Sequence, residues 1–143
     1  MSAINTVPEM QIRKLSVGCQ LWEGTLPESL TISKAEFRTL WDIHPSEFPE
    51  IKMHGRFVKI PRWQQAYGVD YRFSGKVSKA LPIPVLLTPL VVWAKNQIDD
   101  RLNGMLLNWY DADLGHYIGR HRDSIVLAVG QKGPGGSVVA PVG

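Results

Sequence analysis

A chain of 143 residues with 44% hydrophobic content is long and apolar enough for one modest domain with a real core. A charged fraction of 20% and five tryptophans exclude a mostly disordered polyelectrolyte. The formal charge of +3 favours polyanionic partners only slightly, and a single cysteine, Cys19, excludes an intrachain disulfide and any multi-cysteine zinc site.

The start, Met1 to Gln11, is polar and lacks the apolar run of a secretion signal, so a reducing, cytoplasmic setting is expected. Leu15 to Trp22 reads as a short strand leading into a turn around Gly24 and Pro27. Ser33 and Glu36 have capping-box spacing, and Phe37, Leu40 and Trp41 then share one helical face. His44-Pro45 stops that helix. Ile51 to Ile60 alternates loosely with a break at Gly55, which suits a strand or a hairpin. Pro61 to Lys79 mixes aromatic, glycine and basic residues and reads as a loop with short strands.

Leu81 to Ala94 is the longest apolar stretch, but Pro82, Pro84 and Pro89 interrupt it and it is too short to cross a bilayer, so no membrane association is expected. Within and beyond it a helix is predicted over 88–102, with Thr88 as N-cap and Pro89 at the first helical position. Leu90, Trp93, Ala94, Ile98 and Leu102 form its apolar stripe. Asn103-Gly104 ends the helix. A strand over 105–110, a polar turn from Asp111 to Gly115 and a second strand over 116–123 follow. From Ser124 to Gly143 the chain turns rich in Gly, Val and Pro and contains no His, Asp, Glu, Arg or aromatic residue. Ile125 to Val129 allows one more strand, and 130–143 reads as a disordered tail, a linker or a shifted reading frame.

The chemistry concentrates in two alternating pairs. His121 and Asp123 are two apart, so in a strand they share a face with Cα atoms about 7 Å apart. One imidazole and one carboxylate are two corners of the facial triad that holds non-haem Fe(II) with open positions. The same pair on a surface is simply solvated. Asn108 and Tyr110 also alternate on an otherwise apolar strand face, and a buried amide and phenol need partners such as a small carboxylate ligand. Otherwise Asn108 caps a strand end and Tyr110 packs in the core.

The ordered run Asn108-Trp109-Tyr110, a polar Asp/Gly turn, Tyr117-Ile118-Gly119 and His121-Arg122-Asp123 resembles the central signature of the AlkB-like 2-oxoglutarate- and Fe(II)-dependent dioxygenases. Upstream, Pro61-Arg62, Tyr67-Gly68 and Tyr71-Arg72-Phe73-Ser74-Gly75 resemble that family's nucleotide-recognition lid, and Pro82-Ile83-Pro84 its lead into the helix before the core. The resemblance spans about Arg56 to Asp123. It implies an α+β fold in which N-terminal helices pack on an incomplete double-stranded β-helix, or jelly roll. It divides the chain into an N-terminal extension with one helix (1–50), a partial dioxygenase domain (51–129, with the lid at 56–79) and the tail.

By that resemblance His121 and Asp123 ligate iron, Asn108 and Tyr110 contact 2-oxoglutarate, and Tyr67, Tyr71, Phe73 and Arg62 bind the substrate. The implied activity is oxidative dealkylation of an alkylated base in DNA or RNA, the alkyl carbon leaving as an aldehyde. Phe73 stands where the family pattern has a second tyrosine. The family's second iron-binding His and its 2-oxoglutarate Arg have no counterpart among the 20 residues after Asp123, so this chain alone is expected to be inactive.

Other readings stay open. The lid aromatics also suit packing beneath a loop. Arg56, Lys59, Arg62, Arg72, Lys76 and Lys79 suit either a solvated face or phosphate contacts, and His116 a turn or strand edge. The chain could be a non-catalytic nucleic-acid-binding remnant of a dioxygenase, or a structural fragment.

Overall fold

A computed structural model describes residues 10–73 and 75–119, with the side chain of Phe73 outside the description. Among the described residues the fold is mixed α and β, with two helices and four two-stranded antiparallel sheets. The chain divides into two compact units, Met1–Ser33 and Lys34–Gly143, a boundary earlier than the 50/51 division read from the sequence.

The first unit contains the hairpin β1 (Gln11–Ser16) and β2 (Cys19–Glu23) and a 3₁₀ turn at Glu28–Leu30. A single strand over Leu15 to Trp22 is thereby corrected to a hairpin. Gly18 sits in the middle of that run at φ +72, a left-handed conformation open to glycine, and the chain reverses there. Every residue of both strands is exposed.

In the second unit α1 spans Lys34–Asp42 and buries Leu40. The loosely alternating segment after it is a hairpin, β3 (Glu50–Met53) with β4 (Arg56–Lys59). Its two turn residues, His54 and Gly55, both have positive φ (48 and 79), which matches the twist of a two-residue connection. Next come β5 (Trp63–Tyr67), the hairpin β6 (Tyr71–Phe73) with β7 (Lys76–Ser78), helix α2 (Thr88–Gln97) and β8 (Met105–Trp109).

Two expectations for α2 are corrected. A 3₁₀ turn at Val85–Leu87 runs straight into the helix, so Thr88 already has helical dihedrals and the N-cap falls on Leu87. The helix also stops at Gln97 rather than continuing to 102. Beyond it Asp99 accepts hydrogen bonds from the backbone and the guanidinium of Arg101, local bonds that compete with helix continuation.

The sheet that positions the chemistry is β5 with β8, paired from Trp63↔Trp109 to Tyr67↔Met105. Strand alternation gives it two unlike faces. One carries Trp63, Gln65, Tyr67, Met105, Leu107 and Trp109, and the other Gln64, Ala66, Leu106 and Asn108. The buried side chains Ala66, Tyr67 and Trp109 all come from this sheet, joined by Leu40, Ile60, Leu87 and Ala94. Among the described residues no helix is long and apolar enough to cross a membrane.

Candidate functional site

On the Trp63 face the sheet is anchored by aromatic packing. The Trp109 indole N–H donates to the Leu40 carbonyl at 2.9 Å, tying β8 to the last full turn of α1. His44 stacks against Trp63 at 3.7 Å between ring centroids, and Phe48 lies parallel to the same indole at 5.6 Å. His116 meets Trp63 and Phe48 edge-on, at 4.7 and 5.3 Å.

His116 also closes the turn after β8. Its Nδ1 accepts from the Asp111 N–H at 3.1 Å, its own N–H donates to the Asp111 carbonyl, and the Asp111 carboxylate accepts from the Asp113 N–H. With Nδ1 accepting, a neutral ring carries its proton on Nε2. That atom is buried with no hydrogen-bond partner among the described residues, against rings whose near-perpendicular packing suits an N–H facing a π-system. The turn reading of His116 fits this geometry.

The opposite face gathers polar groups. Arg62 Nε donates to Asn108 Oδ1 at 2.9 Å, and Gln64 Nε2 donates to the same oxygen at 3.1 Å. Gln64 and Asn108 are direct cross-strand partners, and Arg62, just before β5 begins, reaches the same oxygen. Of the residues singled out in the sequence, the structure therefore brings Arg62 onto Asn108.

Others are placed apart. Tyr67 is 3% exposed on the Trp63 face, and burial raises the pKa of its hydroxyl above the ordinary 10.0. Packing is the reading that describes it. Tyr71 is half-buried on β6, and Phe73 ends that strand with its side chain outside the description. Tyr110 lies beyond the end of β8, which stops at Trp109 and not at 110, and is 40% exposed. Asn108 and Tyr110 thus do not share a strand face, because the chain leaves the ladder at Trp109 to enter the Asp111 turn.

His121 and Asp123 lie outside the described residues, as do Ile125 to Val129 and the tail. Residues 116–119 of the expected strand 116–123 are irregular, held beside the start of β5 by a Tyr117 N–H bond to the Pro61 carbonyl. Among the described residues no group of three or more His, Cys, Asp or Glu side chains could hold a metal ion.

The β6–β7 hairpin, read from the sequence as part of a lid, is braced at its base. Asp70 accepts from the Ala80 backbone N–H at 2.8 Å and from Lys79 Nζ at 3.0 Å, and these bonds hold its carboxyl below the usual range. Lys79, read as a solvated or phosphate-facing cation, is therefore tied into the β6–β7 hairpin. Gly68 is required where this segment leaves β5. It has φ +83, and a Cβ there would meet the Asn103 carbonyl oxygen at 2.8 Å. Gly104 faces it in turn, with its own Cβ position 3.0 Å from the Tyr67 carbonyl.

Sequence reasoning missed Gln64. The alternation of Arg62, Gln64 and Ala66 was the available signal, but it lies in a segment whose mixed composition reads as loop, and its partner strand begins about forty residues later. No protein-family model matches the chain, and no curated protein matches it.

Proposed function

We propose that this chain carries the lid and first core strand of a 2-oxoglutarate- and Fe(II)-dependent dioxygenase of jelly-roll type, acting by oxidative dealkylation of nucleobases in DNA or RNA. The observation that supports this best is the meeting of Arg62 and Asn108. Two anchors of the family-like motif order, 46 residues apart, share one hydrogen-bonded cluster on one sheet face.

The chemistry of that cluster suits a carboxylate ligand. An Arg Nε can only donate, so the Asn108 atom facing it is the amide oxygen. The Asn108 Nδ2 hydrogens are then left as donors for a carboxylate of 2-oxoglutarate, without Tyr110, which leaves the ladder beyond Trp109. His121 and Asp123 are the proposed iron ligands. The metal, when bound, supplies oxygen activation coupled to decarboxylation of 2-oxoglutarate. The chain's own residues hold the cosubstrate and aim the alkylated base.

The direct test is Fe(II)-dependent conversion of 2-oxoglutarate to succinate in the presence of an alkylated oligonucleotide. Succinate that forms with the wild-type chain and is lost in His121→Ala supports the enzyme reading; equal succinate from both overturns the assignment of the ligand.

A second reading, a nucleic-acid-binding module without chemistry, is favoured by one surface. Phe57 on β4 is 72% exposed, directly across from Lys52 and two residues from Lys59 on the same strand face. An exposed ring between two cations suits a stacked base and its phosphates. Salt-sensitive binding of a labelled single strand, reduced by Phe57→Ala, with no succinate formed, selects this reading over the first.

A further inference from the structure

Helix α1 has a face that its packing on the core does not use. Sequence spacing groups Phe37 with Leu40 and Trp41, yet only Leu40 is buried, and Phe37 is 38% exposed. Lys34, Phe37, Arg38 and Trp41 instead follow the i, i+3, i+4, i+7 spacing of a single helical stripe. Among the described residues these four line a surface cavity of about 360 Å³. The Phe37 and Trp41 rings lie 5.9 Å apart and are tilted by 37°, which makes a notch and not a flat platform. Trp63 meets Trp41 edge-on at 6.3 Å, so the notch is backed by the core strand β5.

The stripe is also charged with one sign. Lys34 and Arg38 are exposed, stand one helical turn apart, and make no ion pair among the described residues. Glu36, the acid in the first turn, lies about 200° around the helix from Lys34, and Asp42, one turn beyond Arg38, makes no ion pair with it. A stacked base needs a flat ring face, whereas a tilted notch takes a branched aliphatic side chain. Carboxylates one helical turn apart match the two cations. We infer that this face of α1 docks an acidic amphipathic helix of a partner protein, with its aliphatic side chains in the Phe37–Trp41 notch and its carboxylates on Lys34 and Arg38. The inference is independent of the dioxygenase reading, since neither iron nor 2-oxoglutarate enters it.

The test titrates the full ¹⁵N-labelled chain with a synthetic helix repeating Glu-Ala-Ala-Leu, which places carboxylates and leucines at the required spacing. The backbone amides of Lys34, Phe37 and Arg38 and the Trp41 indole N–H are expected to shift together and saturate. Binding should weaken as salt rises. Phe37→Ala should weaken it about tenfold, and Arg38→Glu, which reverses one charge, about three- to tenfold. A Gln-Ala-Ala-Leu helix, without the charges, and a Glu-Ala-Ala-Ala helix, without the leucines, should each bind about tenfold more weakly than the parent. The Trp109 indole N–H, bonded to the Leu40 carbonyl, reports whether α1 keeps its place in each variant. Arg38→Glu alters an exposed side chain and keeps the test decisive if Phe37→Ala disturbs the helix.

No saturable shift at millimolar peptide overturns the proposal, as does unchanged affinity in Arg38→Glu or for the glutamine helix. Two other occupants are read in the same experiment. If a thymidine single strand displaces the peptide and its own binding falls with Phe37→Ala and Arg38→Glu, the face serves nucleic acid and the acidic-helix assignment is wrong. If the chain without peptide sediments as a dimer or larger and Phe37→Ala returns it to a monomer, a second copy covers the face, and the assignment is equally wrong. Saturation confined to α1, weakened by salt and by both substitutions, supports it.

Discussion

The β1–β2 hairpin and the β5–β8 ladder each align five residue pairs, so backbone pairing alone gives them similar support. They differ in everything else. The hairpin's strands are adjacent in sequence and wholly exposed, whereas the ladder joins strands separated by 68–104 and contributes three of the seven buried core residues named among the described positions. A two-stranded ribbon is marginal in water by itself. What holds β5 to β8 is the side-chain packing on one face, and the polar cluster on the other face inherits its geometry from that packing.

Substitutions can break or sharpen this contrast. The largest effect is expected from Trp109→Ala, which empties a buried aromatic site and leaves the Leu40 carbonyl without its donor. A loss of about 3–5 kcal/mol in urea unfolding is expected, together with loss of the Arg62–Asn108 contact in side-chain spectra. Next is Gly68→Ala, where a left-handed φ and a backbone oxygen 2.8 Å from the new Cβ should cost about 2–4 kcal/mol. Gly18→Ala in the β1–β2 turn has the same sign of φ but open space around it, so about 1–2 kcal/mol of local hairpin stability is expected to be lost, read from exchange of the β1 amides.

Smaller still is an alkaline effect. The folded pKa of Tyr67 lies above its unfolded value because burial disfavours the phenolate. The protonated phenol is therefore preferred in the folded state. Its contribution is fully present below pH about 10 and is lost as pH rises through the folded pKa. Tyr67→Phe should flatten the fall in urea midpoint on the alkaline side. Least of all, Ile12→Thr on the exposed hairpin should change stability by less than about 0.5 kcal/mol. A loss there comparable to Trp109→Ala would mean that the hairpin is held by packing, and the contrast would fail.

Local signals carried the sequence reading furthest. The Gly55 break marked the β3–β4 turn, His44-Pro45 followed the end of α1, and the β8 strand began at Met105 as its pattern predicts. Long-range pairing carried no such signal. Trp63 to Tyr67 looks like loop because two adjacent glutamines put a polar residue on each face of the strand, and only pairing with β8 gives each side a function. At the candidate site Asn108 and Arg62 were both legible as polar residues of interest, but not as partners. Tyr67 is buried, in line with the packing reading left open for it, whereas Tyr110 is exposed since β8 ends one residue earlier than its hydrophobic pattern suggests.

The separation of β5 from β8 also sets an order of assembly. The hairpins β3–β4 and β6–β7 close over a few residues and can form within about 1–10 μs. The Tyr67↔Met105 pair must wait until the intervening chain, shortened by β6–β7 and α2, brings its two ends together. Arg62, Gln64 and Asn108 meet only when that late closure is complete. The bonds that Arg62 and Gln64 donate to Asn108 therefore act as a latch, closing only with the last-formed part of the fold.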